Sequence, residues 1–377
     1  MSDMTPMLVE TATRQFSELC TRRLLEDAEQ GVWPQTLWDA LQTTGLVMAA
    51  VSEARGGAGA DLGDVLALIK TAGSHSAPVP LAETLLAEQL LAAADLRTIA
   101  GPLTIGPVLR LDHLNLVSRS GKWMLSGTLH KIPWAHQARA VVVLADSEQG
   151  LATVVVEAPS IAAQDWNYAR EPRDTLRFDN YVVPDSAVAP AGRGFTYDEF
   201  FFRGALFRAV AMAGALETVL ELTVKYAKER VQFGKPIGKF QAVQQQIAVL
   251  ASQVAAASAA AQAAGDAAME GNAFFETAAA KARIGEAAGA VAAIAHQVHG
   301  AIGFTHEYAL HRSTRRLWSW RDEFGTESEW MAWIGRTVAR VGGEDLWPFI
   351  ATPHDFNKFM PAGGNSLREA YAREAAK

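Results

Sequence analysis

The stretch that decides the fold is Lys225–Gln241, Lys-Tyr-Ala-Lys-Glu-Arg-Val-Gln-Phe-Gly-Lys-Pro-Ile-Gly-Lys-Phe-Gln. It lies between two long segments that have helical patterns. Upstream, apolar residues between Leu206 and Val224 recur at spacings of three and four, which places them on one face of a helix. Downstream, residues 240–264 are rich in Ala and Gln. Three helix breakers predict a turn between the two helices: Gly234, Pro236 and Gly238.

The turn begins with a fixed cation and an aromatic ring. The guanidinium of Arg230 offers a planar fork of donors that suits phosphate oxygens. The ring of Phe233 has a shape that suits the face of a flat heterocycle. A helix hairpin with a solvated basic end is the alternative, because cations are common near helix C-termini. These residues alone leave both interpretations open.

The pattern Arg-x-x-Phe-Gly-x-x-Ile-x-x-x-Gln at this helix–turn–helix resembles a hallmark of the acyl-CoA dehydrogenase family. A second stretch, residues 297–304 (Gln-Val-His-Gly-Ala-Ile-Gly-Phe), is similar to another segment of that family. The two segments have the order and the separation that the family has, and a weaker similarity covers nearly the whole chain. The resemblance implies FAD as the cofactor and a dimer of dimers as the usual oligomer.

Composition limits the classes of protein to which the chain can belong. It has 377 residues, 49% of them hydrophobic, which is enough for two or three domains with large cores. A formal net charge of −7 argues against general affinity for nucleic acid or an anionic membrane. Cys20 is the single cysteine, so an internal disulfide and a cysteine metal site are both excluded. We expect a cytoplasmic protein without a signal peptide or a membrane span.

The order of patterns along the chain predicts three domains in a mainly α fold. Residues 1–100 predict an N-terminal helical domain. Residues 101–194 contain short β-rich runs bounded by turn signals, which predict a middle β-barrel or sandwich. Residues 195–377 predict a C-terminal four-helix bundle and tail. This order matches the architecture of the family that the motifs resemble.

The resemblance assigns roles to residues of the first motif. Arg230 would contact the FAD pyrophosphate of a neighbouring subunit. Phe233 would pack on the adenosine end, and Gln241 would hydrogen-bond nearby. The alternatives are a surface salt bridge for Arg230 and a core ring for Phe233.

The second motif and a later hydroxyl would complete the cofactor-binding set. Gln297, Gly300 and Gly303 would form the partner surface, where glycines let backbone approach the diphosphate. Thr326 matches a family hydroxyl near the cofactor. We expect His299 to be structural rather than catalytic.

The catalytic base is where the chain departs from the family pattern. In the family reaction a carboxylate takes the α proton of an acyl-CoA thioester while a hydride moves from the β carbon to the flavin. Counting forward from Phe304 places the usual base position on Phe324, so Glu323 is one residue early. A one-residue shift rotates a helical side chain by about 100°. The other familiar base position falls near Gly204, with Glu199 the nearest carboxylate.

Two segments of the middle domain also depart from the family pattern. The family has a Thr-Glu-Pro-x-x-Gly-Ser-Asp-like loop that contacts flavin and acyl-CoA, and residues 103–110 lack its acidic-serine part. The usual Trp-Ile-Thr wall of the flavin site corresponds to residues 131–135, Lys-Ile-Pro-Trp-Ala. Trp134 is a replacement for the wall's ring or a buried core residue.

The leading interpretation is an FAD-dependent acyl-CoA dehydrogenase with Glu323 as its base. The partners that the resemblance implies are an acyl-CoA substrate, an acceptor like electron-transfer flavoprotein, and further subunits of a homo- or hetero-oligomer. The first alternative is a non-catalytic partner subunit of a heteromeric acyl-CoA dehydrogenase. Others are a flavin-dependent monooxygenase-like relative, which needs no carboxylate at the base position, and a pure assembly protein.

Overall fold

The computed structural model describes residues 4–192, 195–271, 273–344 and 347–348. The described residues form two compact units. The first contains the residues up to Val65 and Pro78–Gly204, and the second contains Leu66–Ala77 and the described residues from Ala205 onward. Most of the N-terminal helical residues thus share one unit with the sheet, whereas residues 66–77 belong to the second unit, and the division into three domains stays a prediction.

Five helices precede the strands in the chain, and each of them buries at least one apolar side chain. Two of them begin behind a polar N-cap: Thr21 Oγ1 accepts from the Leu24 N–H at 3.3 Å, and Asp61 Oδ1 accepts from the Asp64 N–H at 2.9 Å. The helices are α1 (Thr5–Leu19), α2 (Arg22–Glu29), α3 (Gln35–Thr43), α4 (Leu62–Ser74) and α5 (Leu81–Ala93).

The middle of the chain forms an eight-stranded mixed sheet in the order β6-β7-β3-β2-β4-β5-β8, with β1 parallel to β4. Residues 140–145 of β4 are buried at every position, as expected of a central strand covered on both faces. The β region predicted between the helical regions is confirmed. The strands are β1 (Leu103–Gly106), β2 (His113–Arg119), β3 (Lys122–Pro133), β4 (Ala140–Ser147), β5 (Gly150–Glu157), β6 (Ile161–Ala163), β7 (Arg173–Val183) and β8 (Val188–Pro190).

The second unit is a helical bundle whose helices approach closely through small residues. Glycines on α4 and on the long helix Tyr197–Glu229 allow backbone contact: a Cβ on Gly73 would lie 2.2 Å from Ala211 O, and a Cβ on Gly214 would lie 2.2 Å from Lys70 O. The predicted helical C-terminal region is confirmed. Its elements are α6 (Tyr197–Glu229), which begins in the first unit, the short strands β9 (Val231–Gln232) and β10 (Lys235–Pro236), α7 (Gln241–Met269), α8 (Phe274–His299), α9 (Leu310–Trp320) and α10 (Glu327–Val341).

Two helical segments of the bundle, Gln241–Met269 and Phe274–Phe304, have the length and apolar composition that a membrane crossing needs. Half of the apolar window of the second is buried within the chain. Core helices of water-soluble proteins have the same properties, so these segments are weak grounds for a membrane location. The expected lack of a membrane span therefore stays a prediction.

Candidate functional site

The first motif forms a hairpin at the end of α6. The Arg230 N–H donates to Tyr226 O at 2.8 Å, and the Ile237 N–H donates to Arg230 O at 2.8 Å, which closes the β9–β10 hairpin. Phe233 lies at its tip with a φ of 52° and is 91% exposed. A non-glycine residue rarely adopts this left-handed backbone. The hairpin therefore displays the Phe233 ring, and the alternative of a core ring is wrong.

The hairpin is also basic. Arg230 is exposed and makes no ion pair with any residue that the structure describes, so the alternative of a surface salt bridge finds no partner there. The Lys235 ammonium lies 4.4 Å from the centroid of the Phe240 ring. That ring meets Phe233 edge-on at 6.1 Å. Exposed cations beside aromatic rings suit an anion that carries a heterocycle.

The second motif ends α8 and continues as a short 3-10 helix, Gly300–Phe304. Gln297 and Gly300 are exposed. Gly300 has a φ of 64°, and a Cβ built on it would meet nothing within 4 Å, so open space lies beside its backbone. Gly303 differs, because it is buried and its Cβ would lie 3.0 Å from His299 Cβ. Internal packing is enough to explain the small residue at 303, and its role in cofactor binding stays a prediction.

The two motifs lie at the same end of the bundle. The Tyr226 ring stacks on the His299 ring with centroids 4.5 Å apart, and Tyr308 contacts the same imidazole at 4.9 Å. Arg230 follows Tyr226 by four residues, and Gly300 directly follows His299. His299 is buried and its Nδ1 lies 2.7 Å from Ala295 O, in keeping with the structural role that we expected of it. Burial lowers the pKa of this imidazole.

We call the exposed part of these motifs the bundle-end surface. Gln241 belongs to it, since it is exposed and opens α7 directly after the hairpin. The structure thus brings five of the seven predicted cofactor-binding residues to one region of a single chain. The bundle-end surface consists of Arg230, Phe233, Gln241, Gln297 and Gly300.

The turn between α9 and α10 carries the candidate base. Glu323 Oε2 lies 2.8 Å from Arg208 Nη2, and the two side chains are 18% and 7% exposed. The Arg208 guanidinium carbon also lies 5.3 Å from the Trp320 ring centroid. Phe324, at the usual base position, is 4% exposed and has a φ of 53°. The nearest carboxylate to that position is therefore already bound in an ion pair.

The predicted cofactor hydroxyl of Thr326 caps α10. Its Oγ1 accepts from the Glu329 N–H at 3.3 Å, while the Thr326 N–H donates to Glu329 Oε2 at 2.6 Å. This reciprocal pair is a capping box, which satisfies two orphan donors of the helix. The cap is enough to explain a threonine here, and its contact with the cofactor stays a prediction.

Lys281 is a residue of this region that the sequence analysis missed. It lies on α8, is 0% exposed, and its Nζ donates to Arg321 O at 2.7 Å and to Gly325 O at 2.9 Å. Burial lowers the pKa of this ammonium to about 7. A signal was present, since Lys281 interrupts the Ala-rich face of α8 at helical spacing from Ala278 and Ala288.

One of the two segments that departed from the family pattern, residues 103–110, lies beside the start of α6. The Arg110 guanidinium carbon lies 4.3 Å above the Phe201 ring, at the start of α6. The cavity between this segment and α6 has a volume of about 20 Å³, room for roughly one water. Trp134, in the other segment, is 6% exposed, and its backbone N–H donates to Pro172 O at 3.2 Å. It is therefore a buried residue of the sheet region. The cavity is lined by Pro107, Leu109, Arg110, Asp112, Tyr197, Asp198, Phe200 and Phe201.

Comparison with known proteins agrees with this geometry. Residues 192–337 match the family model described as "Acyl-CoA dehydrogenase, C-terminal domain". The acyl-CoA dehydrogenase IpdE2 of Mycobacterium tuberculosis is 32% identical over 298 residues, which cover 75% of this chain and 80% of that protein.

Solved structures with the same fold cover most of the chain. A Tcur3481-Tcur3483 steroid ACAD variant has a TM-score of 0.77 at 27% identity and covers 89% of this chain and 97% of its own. The ChsE4-ChsE5 complex from Mycobacterium tuberculosis has a TM-score of 0.82 at 22% identity, with 91% and 99% covered.

Proposed function

We propose, since the chain belongs to the acyl-CoA dehydrogenase family of FAD-dependent oxidoreductases, that it takes part in the α,β-dehydrogenation of an acyl-CoA thioester. The reaction removes a proton from the α carbon and a hydride from the β carbon. FAD supplies the redox chemistry by accepting the hydride, and the protein supplies binding, geometry and a proton acceptor. The observation that carries the proposal is the bundle-end surface.

The bundle-end surface suits the adenosine and pyrophosphate part of FAD. The Arg230 guanidinium is exposed and suits phosphate oxygens, and Phe233 offers an exposed ring for an adenine. Open space at Gly300 leaves room for a diphosphate beside the backbone. Gln241 and Gln297 add exposed amides that donate or accept hydrogen bonds. In our proposal this surface holds an FAD that it shares with a neighbouring subunit.

We assign the proton acceptor to Glu323. Its carboxylate is mostly buried in the turn before α10, 2.8 Å from the Arg208 guanidinium, and is adjacent in sequence to the usual base position. The ion pair with Arg208 restricts the Glu323 side chain. The carboxylate therefore accepts the α proton either in this orientation or after it has separated from Arg208.

A second candidate is the role of partner subunit in a heteromeric acyl-CoA dehydrogenase. Phe324 is buried at the usual base position, and the cavity between Arg110 and Phe201 holds about one water. Neither feature suits a flavin ring or an acyl chain, whereas the bundle-end surface still suits a dinucleotide. The steroid ACAD variant to which this chain is 27% identical carries a double name, Tcur3481-Tcur3483. In this role the chain gives Arg230 and Gln297 to a cofactor whose ring lies with the partner.

The location, the electron acceptor and the oligomeric state are proposed from what is usual in the family. We propose a cytoplasmic protein that passes electrons to an acceptor like electron-transfer flavoprotein and works as a homo- or hetero-oligomer. The exposure of the bundle-end surface supports an assembly in which a second subunit covers it.

Flavin retention tests the proposal. Arg230→Ala removes the phosphate donors and should lower the FAD content of the purified assembly, measured from the flavin absorbance per protein chain. The matched control is Arg119→Ala, which removes an exposed arginine at the end of β2. Equal FAD content in Arg230→Ala and the control would refute the role of Arg230.

Co-expression separates the two candidate roles. A yellow protein purified alone, whose absorbance bleaches when acyl-CoA is added without oxygen, supports the homomeric enzyme. Flavin that is present only after co-expression with a neighbouring gene product supports the partner subunit. A protein that is colourless in both preparations contradicts the dehydrogenase proposal.

A further inference from the structure

A lysine lies fully buried in the middle of α8. Lys281 is 0% exposed, and the neighbours along its helix face, Ala278, Ile284 and Ala288, are buried and apolar. Transfer of an ammonium group from water to such surroundings costs several kcal/mol or more unless hydrogen bonds compensate for it. The chain therefore needs a specific set of acceptors around this group.

Those acceptors are backbone carbonyls of the turn between α9 and α10. The Lys281 ammonium donates to Arg321 O at 2.7 Å, to Gly325 O at 2.9 Å and to Trp320 O at 3.4 Å. A lysine ammonium has three protons, and the three carbonyls use all of them. The last carbonyls of a helix have no partner within the helix, so Lys281 also completes the C-terminal end of α9.

The turn needs such support because of its backbone conformation. Phe324 and Gly325 are consecutive residues with positive φ, 53° and 95°. The Phe324 carbonyl accepts from Trp330 Nε1 at 3.0 Å. Lys281 and Trp330 together therefore bind four carbonyls of a six-residue segment, Trp320–Gly325.

We propose that Lys281 is a positioning residue for the dehydrogenation reaction, because it fixes the turn Trp320–Gly325 that carries Glu323 and leads into Thr326. The proposal rests on the proposed function for the role of this turn. In this proposal Lys281 contacts neither the substrate nor the cofactor. It acts through the backbone of the turn, so that a change of its donors changes the direction of the Glu323 carboxylate.

The charge of Lys281 also bears on the turn. Burial is the main cause that lowers its pKa to about 7, and the Glu323 carboxylate opposes this shift. Deprotonation removes one of the three donors and leaves a lone pair facing carbonyl oxygens. Even so, opening of the turn would return the amine to water, where its pKa is near the ordinary 10.5, so protonation favours opening and the turn is held more tightly above pH 7 than below it. The charged groups that face Lys281 or pack against α8 beside it are Glu323, Asp322, Glu329, Arg208 and the ion-paired Arg321 and Glu327.

Three variants separate positioning from a general structural role. Lys281→Met removes the donors at nearly constant length. Lys281→Arg keeps a charged donor group that stays protonated at every working pH. Lys70→Met is the control, since Lys70 is a half-exposed lysine of the same unit, ion-paired with Glu217 at 2.8 Å.

Hydrogen–deuterium exchange and the pH profile of turnover are the readouts. In Lys281→Met, exchange should rise at least ~10-fold in the peptide 320–330, with the rest of the second unit as in Lys70→Met. The kcat of the flavin-loaded assembly should fall by ~10- to 100-fold with little change in KM, as expected for a misplaced catalytic group. The wild-type kcat should change across about pH 7, and Lys281→Arg should lose that step while it keeps turnover.

Several outcomes would overturn the inference. One is exchange that rises throughout the unit in Lys281→Met, and another is a pH step that persists in Lys281→Arg. If Lys281→Met does not fold, the comparison of wild type with Lys281→Arg still tests the inference. Identical pH profiles of kcat in these two proteins would contradict a role for Lys281. A flavin-loaded wild-type assembly without turnover on any acyl-CoA would instead contradict the proposed function. The pH dependence of exchange in peptide 320–330 then still tests whether Lys281 holds the turn.

Discussion

Lys281 should make the stability of the protein depend on pH in a way that one substitution removes. Its pKa is about 7 in the folded protein, against 10.5 for an ordinary lysine. Between these values the unfolded chain binds more protons than the folded one, so the free energy of unfolding rises with pH. The contribution is fully present above 10.5 and is lost as pH falls toward 7. Over 3.5 units, at about 1.4 kcal/mol each, it amounts to about 5 kcal/mol.

Urea unfolding of wild type and Lys281→Met at pH 7.0, 8.0 and 9.0 measures this contribution. Tryptophan fluorescence is a suitable probe, because Trp320 and Trp330 are buried beside Lys281. The difference in free energy of unfolding, wild type minus Lys281→Met, should grow by about 1.4 kcal/mol for each pH unit. At pH 7 the three hydrogen bonds of the ammonium stabilise the wild type, whereas its desolvation destabilises it. The sign of the difference in free energy of unfolding at that pH depends on which of the two is larger.

The control Lys70→Met shows the general effect of losing a lysine from this unit. If the wild-type and Lys281→Met curves run parallel from pH 7 to pH 9, Lys281 does not titrate in this range and the reasoning fails. A folded protein that stabilises the charged ammonium would also give parallel curves, because the amine would then stay protonated in both states over this range.

Three further predictions concern other residues. Glu323→Gln should keep its flavin and lower turnover by ~100-fold or more, the usual scale for a lost acid or base; unchanged turnover would refute the assignment of Glu323 as the base. Glu88 is 1% exposed and burial raises its pKa to about 7, so stability is lost as pH rises from about 4.5 through 7. Glu88→Gln should therefore raise stability at pH 8 by up to about 3 kcal/mol, and a lower melting temperature than wild type at that pH would contradict this. Gly303→Ala should destabilise the protein by about 1–3 kcal/mol, because its Cβ would lie 3.0 Å from His299 Cβ; unchanged unfolding in urea would show that the 3-10 helix moves aside.

Local sequence was enough to predict the turn in the first cofactor motif, but not the exposure of its aromatic ring. Three breakers within five residues, Gly234, Pro236 and Gly238, predict the turn after α6, and the structure has a hairpin there. The exposure of Phe233 is a different matter, since an aromatic residue in a turn is equally compatible with a core position. Its display depends on the left-handed backbone at the hairpin tip, which comes from the register of β9 with β10.

The ion pair of the candidate base could not be predicted from local sequence at all. Counting along the chain places Phe324 at the usual base position and Glu323 beside it, and the role of Glu323 as the base stays a prediction. The partner of the carboxylate, Arg208, lies 115 residues earlier on α6. No local pattern connects the two residues, because side chains from separate helices meet only when the bundle packs.

By itself, the sequence determined the succession of helices, strands and helices, since 3.6-residue and alternating apolar periods follow from local backbone geometry. It also determined the two motifs by which the chain resembles its family. Only the tertiary structure decided that Tyr226 stacks on His299 and so brings those motifs to one end of the bundle. It alone decided that Lys281 binds the turn before α10, because burial, the pKa of an ammonium group and the choice among distant acceptors depend on packing.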